Sequence, residues 1–440
     1  MYLSAAAIIF AQQTLTQGPL RLSLARAVDI ALEPEGSARV ALAEESIRQA
    51  ELRVSQAKSV FLPKIDGSIQ DRNQTVNLRT FGFDFGGGAI PGFSFPGIVG
   101  PFSVLDLRAT VEQPVLDFTA IRHYKTLRTG IDSAKADRAV ARDGVANQVA
   151  RAYLAGLRAD AALRSVQANL ALSEALLRAA QSQKDAGVGT GIEVTRAQVQ
   201  LANDRQRVSV AENERRRTIL QLLRTMGLDL AAPVDLIGTL GYQPVDVAAV
   251  EAALKRARGE RSDVQAQEQH EQVARLNIRT VEAERLPTVT AFGDYGTIGR
   301  HSIGLQPTRT FGVKVNIPLF DGGRRQARRD ESLFLLRQEQ IRTRDLEDQV
   351  ELEVRLAIES LRSAAVQVET AREGLDLAQN EVEQARRRYE AGVAIPLEVT
   401  DAQSRLDRAR DNQVSALYNH NLARLELAAA VGNIQEFVHQ

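Results

Sequence analysis

The chain contains no cysteine and no tryptophan, and only 5% of its 440 residues are aromatic. Without Cys there are no disulfides, no thiolate metal sites and no lipid-modified amino-terminal Cys. The five histidines, at positions 123, 270, 301, 420 and 439, show no ligand spacing, so no metal is assigned. Formal net charge is zero, with 55 basic and 55 acidic residues, and a nucleic-acid partner would call for a basic excess. No apolar run reaches the length of a membrane-spanning helix, although barrel strands give weaker signals and stay open. Gly92-Phe93-Ser94-Phe95-Pro96 lacks the last Gly of a nucleophile elbow, and no Ser, His and Asp grouping points to hydrolysis. The reading is therefore of a non-enzyme that needs no cofactor. With much Ala and few aromatics, the chain suits long helices packed side by side better than an ordinary globular core.

What is present is periodicity. Val354, Ala357, Leu361, Ala364, Val368, Ala371, Leu375, Ala378, Val382, Ala385 and Tyr389 alternate steps of three and four, a heptad seam with a large residue at one position and Ala at the other. Small seam residues let helix backbones approach closely. The seam stops at Tyr389-Glu390-Ala391-Gly392-Val393-Ala394-Ile395-Pro396, where Gly392 suits the left-handed helix end and Pro396 the first turn of the next helix. Val399, Ala402, Leu406 and Ala409 then lead back, which predicts a long antiparallel helical hairpin.

The same hairpin occurs earlier. Asp185 to Gln198 lines up with Glu390 to Gln403, repeating Ala, Gly, Val, Glu, Val, Thr, Ala and Gln in register, an internal repeat of about 205 residues. Val149, Ala152, Gly156, Ala159, Leu163, Val166 and Leu170 continue the matching seam upstream. Pro114-Val115-Leu116-Asp117 answers Pro318-Leu319-Phe320-Asp321, and Leu62-Pro63 answers Leu286-Pro287.

Ahead of these helices the period changes to two. Leu105 to Glu112 and Phe311 to Ile317 alternate apolar with polar residues, which predicts strands with one oily and one wet face. Ile65 to Gln70 and Val289 to Tyr295 are weaker partners, so each half holds a strand hairpin whose strands, roughly ten residues long, are enough to cross a bilayer. Four strands cannot close a barrel, and open edges in lipid leave backbone groups unpaired. A membrane reading forces several copies to share one barrel, and three would supply twelve strands; the alternative is a soluble sheet with one covered face. The Gly- and Pro-rich stretch from Phe81 to Phe102 lacks the Gly-Lys-Ser/Thr of a phosphate-binding loop and reads as an exposed loop over the barrel mouth.

The expected layout is a leader or disordered start at 1–19, a first repeat at 20–226, a linker with a short helix at 227–261, a second repeat at 262–432 and a tail at 433–440. The first repeat holds a strand hairpin near 64–113 and a helical hairpin near 118–226; the second holds them near 288–320 and 324–432. The outgoing helices are about twice as long as the returning ones. The helices ending at Phe61 and Leu286 are expected to complete each column.

In this order and with this duplication, the opening Leu22-Ser23-Leu24-Ala25-Arg26-Ala27, the doubled Leu-Pro, Pro318 to Arg325, and the tip Tyr389 to Gly392 followed by Glu398 to Gln403 are shared with a known family. From Leu20 to Gly432 the chain resembles the outer-membrane efflux duct family, the TolC-like proteins. The resemblance implies a mainly α fold with a β-barrel part: a homotrimer with a twelve-stranded barrel in outer-membrane lipid and a helical tunnel in the periplasm. It further implies docking on a periplasmic adaptor served by an inner-membrane efflux pump or ABC transporter. A structural periplasmic coiled-coil protein is the alternative.

In that family acidic rings and polar links close the tunnel at its tip. Glu398 and Asp401 match the ring acids, and Tyr389 and Glu193 match link partners. Ala394 stands where a linking Arg is expected and Ile192 where a hydroxyl residue is, leaving Arg388 or Arg196 as substitutes. The plain counter-reading makes Glu398 and Asp401 solvated acids favourable to a helix start. Gly187, Val188, Gly189, Gly392, Val393 and Ala394 form apolar tips with no core to enter, which suits contact with a partner's helical tip as well as a local capping contact. Arg324, Arg325, Arg328 and Arg329, just after a strand, form a basic cluster placed for anionic headgroups at the barrel rim, or for a solvated helix face.

Overall fold

The structure is a computed structural model, and it describes residues 19–34, 36–82, 97–244, 250–300, 303–391, 393–394 and 396–439. The expected leader, most of the Gly-rich loop, and Gly392 lie outside the described residues. In chain order the elements are β1 (Leu20–Leu22), α1 (Leu24–Leu32), α2 (Ala38–Ser59), β2 (Lys64–Asn77), β3 (Ile98–Leu116), α3 (Phe118–Asp185), α4 (Gly191–Met226), β4 (Val234–Leu236), α5 (Val250–Glu260), α6 (Ser262–Ala283), β5 (Thr288–Arg300), β6 (Gly304–Asn316), α7 (Arg324–Glu390), α8 (Pro396–Val431) and α9 (Ile434–His439). They fall into two compact units. One is made by the described residues up to Ser46 with Lys135–Gln267 and the chain from Arg342 onward; the other by Ile47–Ala134 and Glu268–Ile341.

The strand unit is an antiparallel sheet in the order β2-β3-β5-β6, so the two hairpins are joined by the β3–β5 pairing. Register puts Ile65, Val111, Gly293 and Phe311 in one row across the sheet, and Asp66, Thr110, Asp294 and Thr310 in the next. Because side chains alternate along a strand, these rows lie on opposite faces. Ile69, Phe311 and Val313 on the apolar face are 77%, 80% and 66% exposed. On the polar face Arg108 bridges strands, with Asp294 on β5, Thr308 on β6 at 3.3 Å, and Asp106 on its own strand. The strands contain 14, 19, 13 and 13 residues, longer than the roughly ten expected. The ladder runs on through polar stretches such as Asp71-Arg72-Asn73-Gln74, where alternation gives no sign of it.

Helices flank this sheet within the same unit. Phe61 meets Tyr124 edge-on at 6.0 Å, Thr126 and Thr280 share a buried hydrogen bond of 3.0 Å, and Ser133 bonds His270 at 3.3 Å. The first part of α3 therefore packs on the chain end of α2 and on α6.

In the other unit the heptad seam is the buried stripe: Val354, Leu361, Ala364, Val368, Ala378, Val382 and Ala385 are all buried on α7, opposite Val399, Ala402 and Leu406 of α8. The middle of α3 buries a wider face than its seam, including Tyr153, Leu154 and Leu157. It forms a core with Leu22 of β1, Val28 of α1, Leu222 and Met226 of α4, Leu236 of β4, Leu425 of α8, and Ile434 and Val438 of α9. The parallel pairing of β1 with β4 helps to close this core, and Tyr153 hydroxyl reaches the carbonyls of Leu22 and Ile237 at 3.1 and 2.7 Å. Ser23 caps α1 through the Arg26 N–H at 3.2 Å, as its position predicts.

Candidate functional site

Helix endings shape the tips. Val188 N–H bonds Gln183 carbonyl at 3.0 Å and Gly187 N–H bonds Lys184 carbonyl at 2.9 Å, with Gly187 at φ 76°. These two bonds and the left-handed glycine make the capping arrangement that satisfies the last carbonyls of α3. A Cβ on Gly189 would lie 2.9 Å from Lys184 backbone nitrogen, so the turn needs glycine there as well. At the second tip Val393 N–H bonds Arg388 carbonyl at 2.9 Å, the equivalent long-range closure. Val188 and Val393 end 80% and 68% exposed, while Ala394 is half-buried.

The predicted gate residues divide in two. Glu193 turns back to accept the Thr190 N–H at 2.9 Å, which both caps α4 and places a carboxylate at its positive end. Tyr389 donates its hydroxyl to the Gln183 side chain. Burial, reinforced by the Glu193 carboxylate and opposed by the Gln183 hydrogen bond, raises the Tyr389 phenol above its ordinary value. Glu398 is paired with Arg388, one of the two arginines considered as substitutes, at 3.0 Å. Arg196 instead lines a cleft beside Tyr389 and Glu193. Asp401 is exposed on α8.

Farther along the same hairpins lies a polar network that spacing did not signal. Asp204, fully buried, accepts from Ser173 of α3 and from Gln200 at 3.0 Å. Arg207 lies 3.6 Å from Asp204 and 3.2 Å from Asp407 of α8. Burial and the Asp204 charge raise the Asp407 carboxyl above the ordinary range against the pull of Arg207 and Arg410. Arg410 in turn donates to Asn169 of α3. Mid-helix Asp residues on an otherwise Ala-rich face were the only available hint.

The basic cluster is tied down within the strand unit. Arg328 pairs with Glu284 at 2.7 Å and Arg329 with Glu282 at 3.0 Å, both near the end of α6. Arg325 holds Asp321 at 3.3 Å, while Arg324 stays 3.9 Å from the same carboxylate with its side chain 71% exposed. Beside them Leu319 and Phe320 are 90% and 89% exposed. Among the described residues no group of three or more His, Cys, Asp or Glu is placed to hold a metal, and no helix is long and apolar enough to cross a membrane.

The family model described as outer membrane efflux protein matches residues 33–228 and 253–433. The chain belongs to the outer membrane efflux protein family. As a member it is an outer membrane protein with a periplasmic helical part, in a family of ducts rather than enzymes. It is 26% identical over 283 residues to outer membrane efflux protein BepC of Brucella suis, a match covering 63% of this chain and 60% of that protein. With the pyoverdine export outer membrane protein OpmQ of Pseudomonas aeruginosa it shares 25% identity over 403 residues, 88% of this chain and 79% of the relative. The fold is similar to that of the CmeC outer membrane channel of Campylobacter jejuni, with a TM-score of 0.78 at 15% identity, covering 93% of this chain and 85% of that one. That agreement extends the family's fold, long helical hairpins with a strand part, to nearly the whole chain.

Proposed function

We propose that the chain is one subunit of a homotrimeric duct through which solutes leave the cell, docked to a periplasmic adaptor and fed by an inner-membrane efflux pump or ABC transporter. One observation carries this. A four-stranded sheet with an exposed apolar face and, among the described residues, unpaired outer edges on β2 and β6 is continuous in sequence with helices of 68 and 67 residues. Such edges are stable in hydrocarbon only when other copies pair with them, and three copies would close a twelve-stranded barrel. Purified protein reconstituted in planar bilayers is expected to run as a trimer in native mass spectrometry and to give discrete conductance steps. A monomer without conductance would sink the reading.

Within this reading the gate lies at Tyr389, Glu193, Glu398 and Asp401. Three copies of an acidic pair near one axis favour cations. The Arg388 contact neutralises part of Glu398, which leaves Asp401 as the stronger contributor. Changing Glu398→Gln together with Asp401→Asn is expected to lower cation preference about twofold or more in reversal-potential measurements; an unchanged potential removes both acids from the gate. The tips, Gly187, Val188, Gly189, Gly392, Val393 and Ala394, are the proposed adaptor contact, because among the described residues Val188 and Val393 at the helix ends stay 80% and 68% exposed. The rim, where Arg324 is 71% exposed beside Asp321 at 3.9 Å, is the proposed lipid boundary.

A further inference from the structure

Arg207 stands between two carboxylates that belong to different hairpins. Its Nη1 lies 3.2 Å from Asp407 Oδ2 on α8 and 3.6 Å from Asp204 Oδ1 on its own helix, α4. Asp204 is 2% exposed, and its Oδ2 already accepts from Ser173 and from Gln200 at 3.0 Å. Its Oδ1 has no hydrogen-bond partner among the described residues. A buried acceptor left bare is unfavourable, and the Arg207 guanidinium, already within ion-pair range of it, needs to move less than about 1 Å to bond it. The contact it makes instead, to Asp407, is the one that ties the first helical hairpin to the second.

The charged groups around Asp407 are Asp204, Arg207 and Glu214 on α4 and Arg408, Arg410 and Asp411 on α8. From α3 it is faced by Asn169, Ala162 and Val166, and the nearby Asp160 is paired with Arg215 of α4. On α7, Glu381 is held by Arg405 of α8 at 3.1 Å. Burial and the Asp204 charge together outweigh Arg207 and Arg410 and raise the Asp407 carboxyl above the ordinary range. Burial, opposed by Arg207, raises Asp411 as well. As the pH falls, Asp407 therefore loses its charge before an ordinary Asp does. Its side chain is 16% exposed, so the proton comes from solvent.

We propose that Arg207 is a proton-operated latch: with Asp407 ionised it clasps α4 to α8, and with Asp407 protonated it turns to Asp204 Oδ1 on its own helix and lets the two hairpins part. The latch is complete within one chain and goes beyond the duct reading; only its effect on conductance rests on that reading.

Ala202→Cys with Ser404→Cys, at exposed positions of a chain that has no Cys of its own, places a spin-label pair across α4 and α8. Distances are measured by pulsed electron resonance on the assembled protein in detergent, with labelled chains diluted in unlabelled ones so that pairs within one chain report. From about pH 7.5 to about pH 4.5 the distance is expected to lengthen by about 2 Å, the size of helix shifts at switching contacts. Asp407→Asn, which keeps the shape and removes the charge, should give the longer distance throughout. Asp204→Asn removes both the second resting place of Arg207 and the charge that favours a proton on Asp407, so it should move the change to lower pH. A distance that does not respond to pH overturns the latch, as does a full-sized change that survives Asp407→Asn or one that keeps its midpoint in Asp204→Asn. Conductance of the same preparations is recorded in parallel. A distance change without conductance supports the latch and sinks the duct, whereas conductance with a fixed distance sinks the latch alone.

Discussion

His420 shows how much single side chains do here that no spacing rule reveals. It is 1% exposed, donates from Nε2 to the Gln243 carbonyl at 3.0 Å, and lies 4.8 Å from the Tyr242 ring. Next to it Asn421 donates to the Gly241 carbonyl at 2.9 Å, so the segment before α5 is pinned on α8. Burial lowers the His420 pKa from 6.5, the Gln243 carbonyl opposes this, and Arg424 adds to it. The unfolded chain then takes up the proton more readily than the folded one, so stability present above pH 6.5 is lost as the pH falls toward the lowered value. Melting followed by circular dichroism at about pH 7.5 and about pH 5.5 should show a drop for the native chain that is smaller for His420→Gln, which keeps a donor without titrating; equal drops would remove His420 as the cause. Arg261 is a second case. It bonds Asp263 at 2.6 Å, Glu353 at 2.5 Å and the Ala430 carbonyl at 3.3 Å, tying the α5–α6 junction to α7 and α8. Burial works against its charge, but the two acids outweigh burial and hold it above the ordinary guanidinium value. Neither role was legible, because the partners Gln243, Glu353 and Ala430 are remote in sequence and each looks like an ordinary residue of its own segment.

The long helices of the two hairpins, by contrast, were legible to within a few residues, whereas α9, read as a tail, was not. The alternation of large and small residues from Val354 to Ala385 is the buried face of α7, and the change from period two to period three-and-four around Pro114 and Pro318 falls where strand gives way to helix. Gly187, Gly227 and Gly432 all sit at positive φ just beyond helix ends, the conformation the sequence reading expected of Gly392, which lies outside the described residues. What sequence does not show is how unequal these glycines are. Around Gly187 a Cβ would find open space, whereas on Gly227 it would fall 1.8 Å from the Gly36 carbonyl oxygen. Gly187→Ala should therefore cost about 1 kcal/mol, the strain of a left-handed L-residue, and Gly227→Ala about 4 kcal/mol, because the α4 end must also separate from the turn before α2. Thermal melting of the two variants checks this, and similar losses would refute the close approach. The pairing of β1 with β4 escaped notice because three residues are too few to show a period, and their partners are separated by most of the first half of the chain.

At the scale of the molecule, duplication of the chain was readable and pointed to four strands, but the sheet order was not, since nothing in either hairpin states that β3 pairs with β5. That pairing leaves β2 and β6 as the outer strands. Because the chain has no native Cys, paired cysteines introduced along Lys64–Asn77 and Gly304–Asn316 should yield disulfide-linked trimers at matching positions in denaturing gels. Uniformly monomeric chains across such a scan would refute barrel closure. The same two outer strands bear on how the protein is made. On the duct reading proposed above, a newly exported chain carries two adhesive borders and an oily sheet that the other described residues leave uncovered, and insertion would wait for encounters among siblings. Yield should then depend steeply on synthesis rate, and chains left solitary would be the natural prey of envelope proteases.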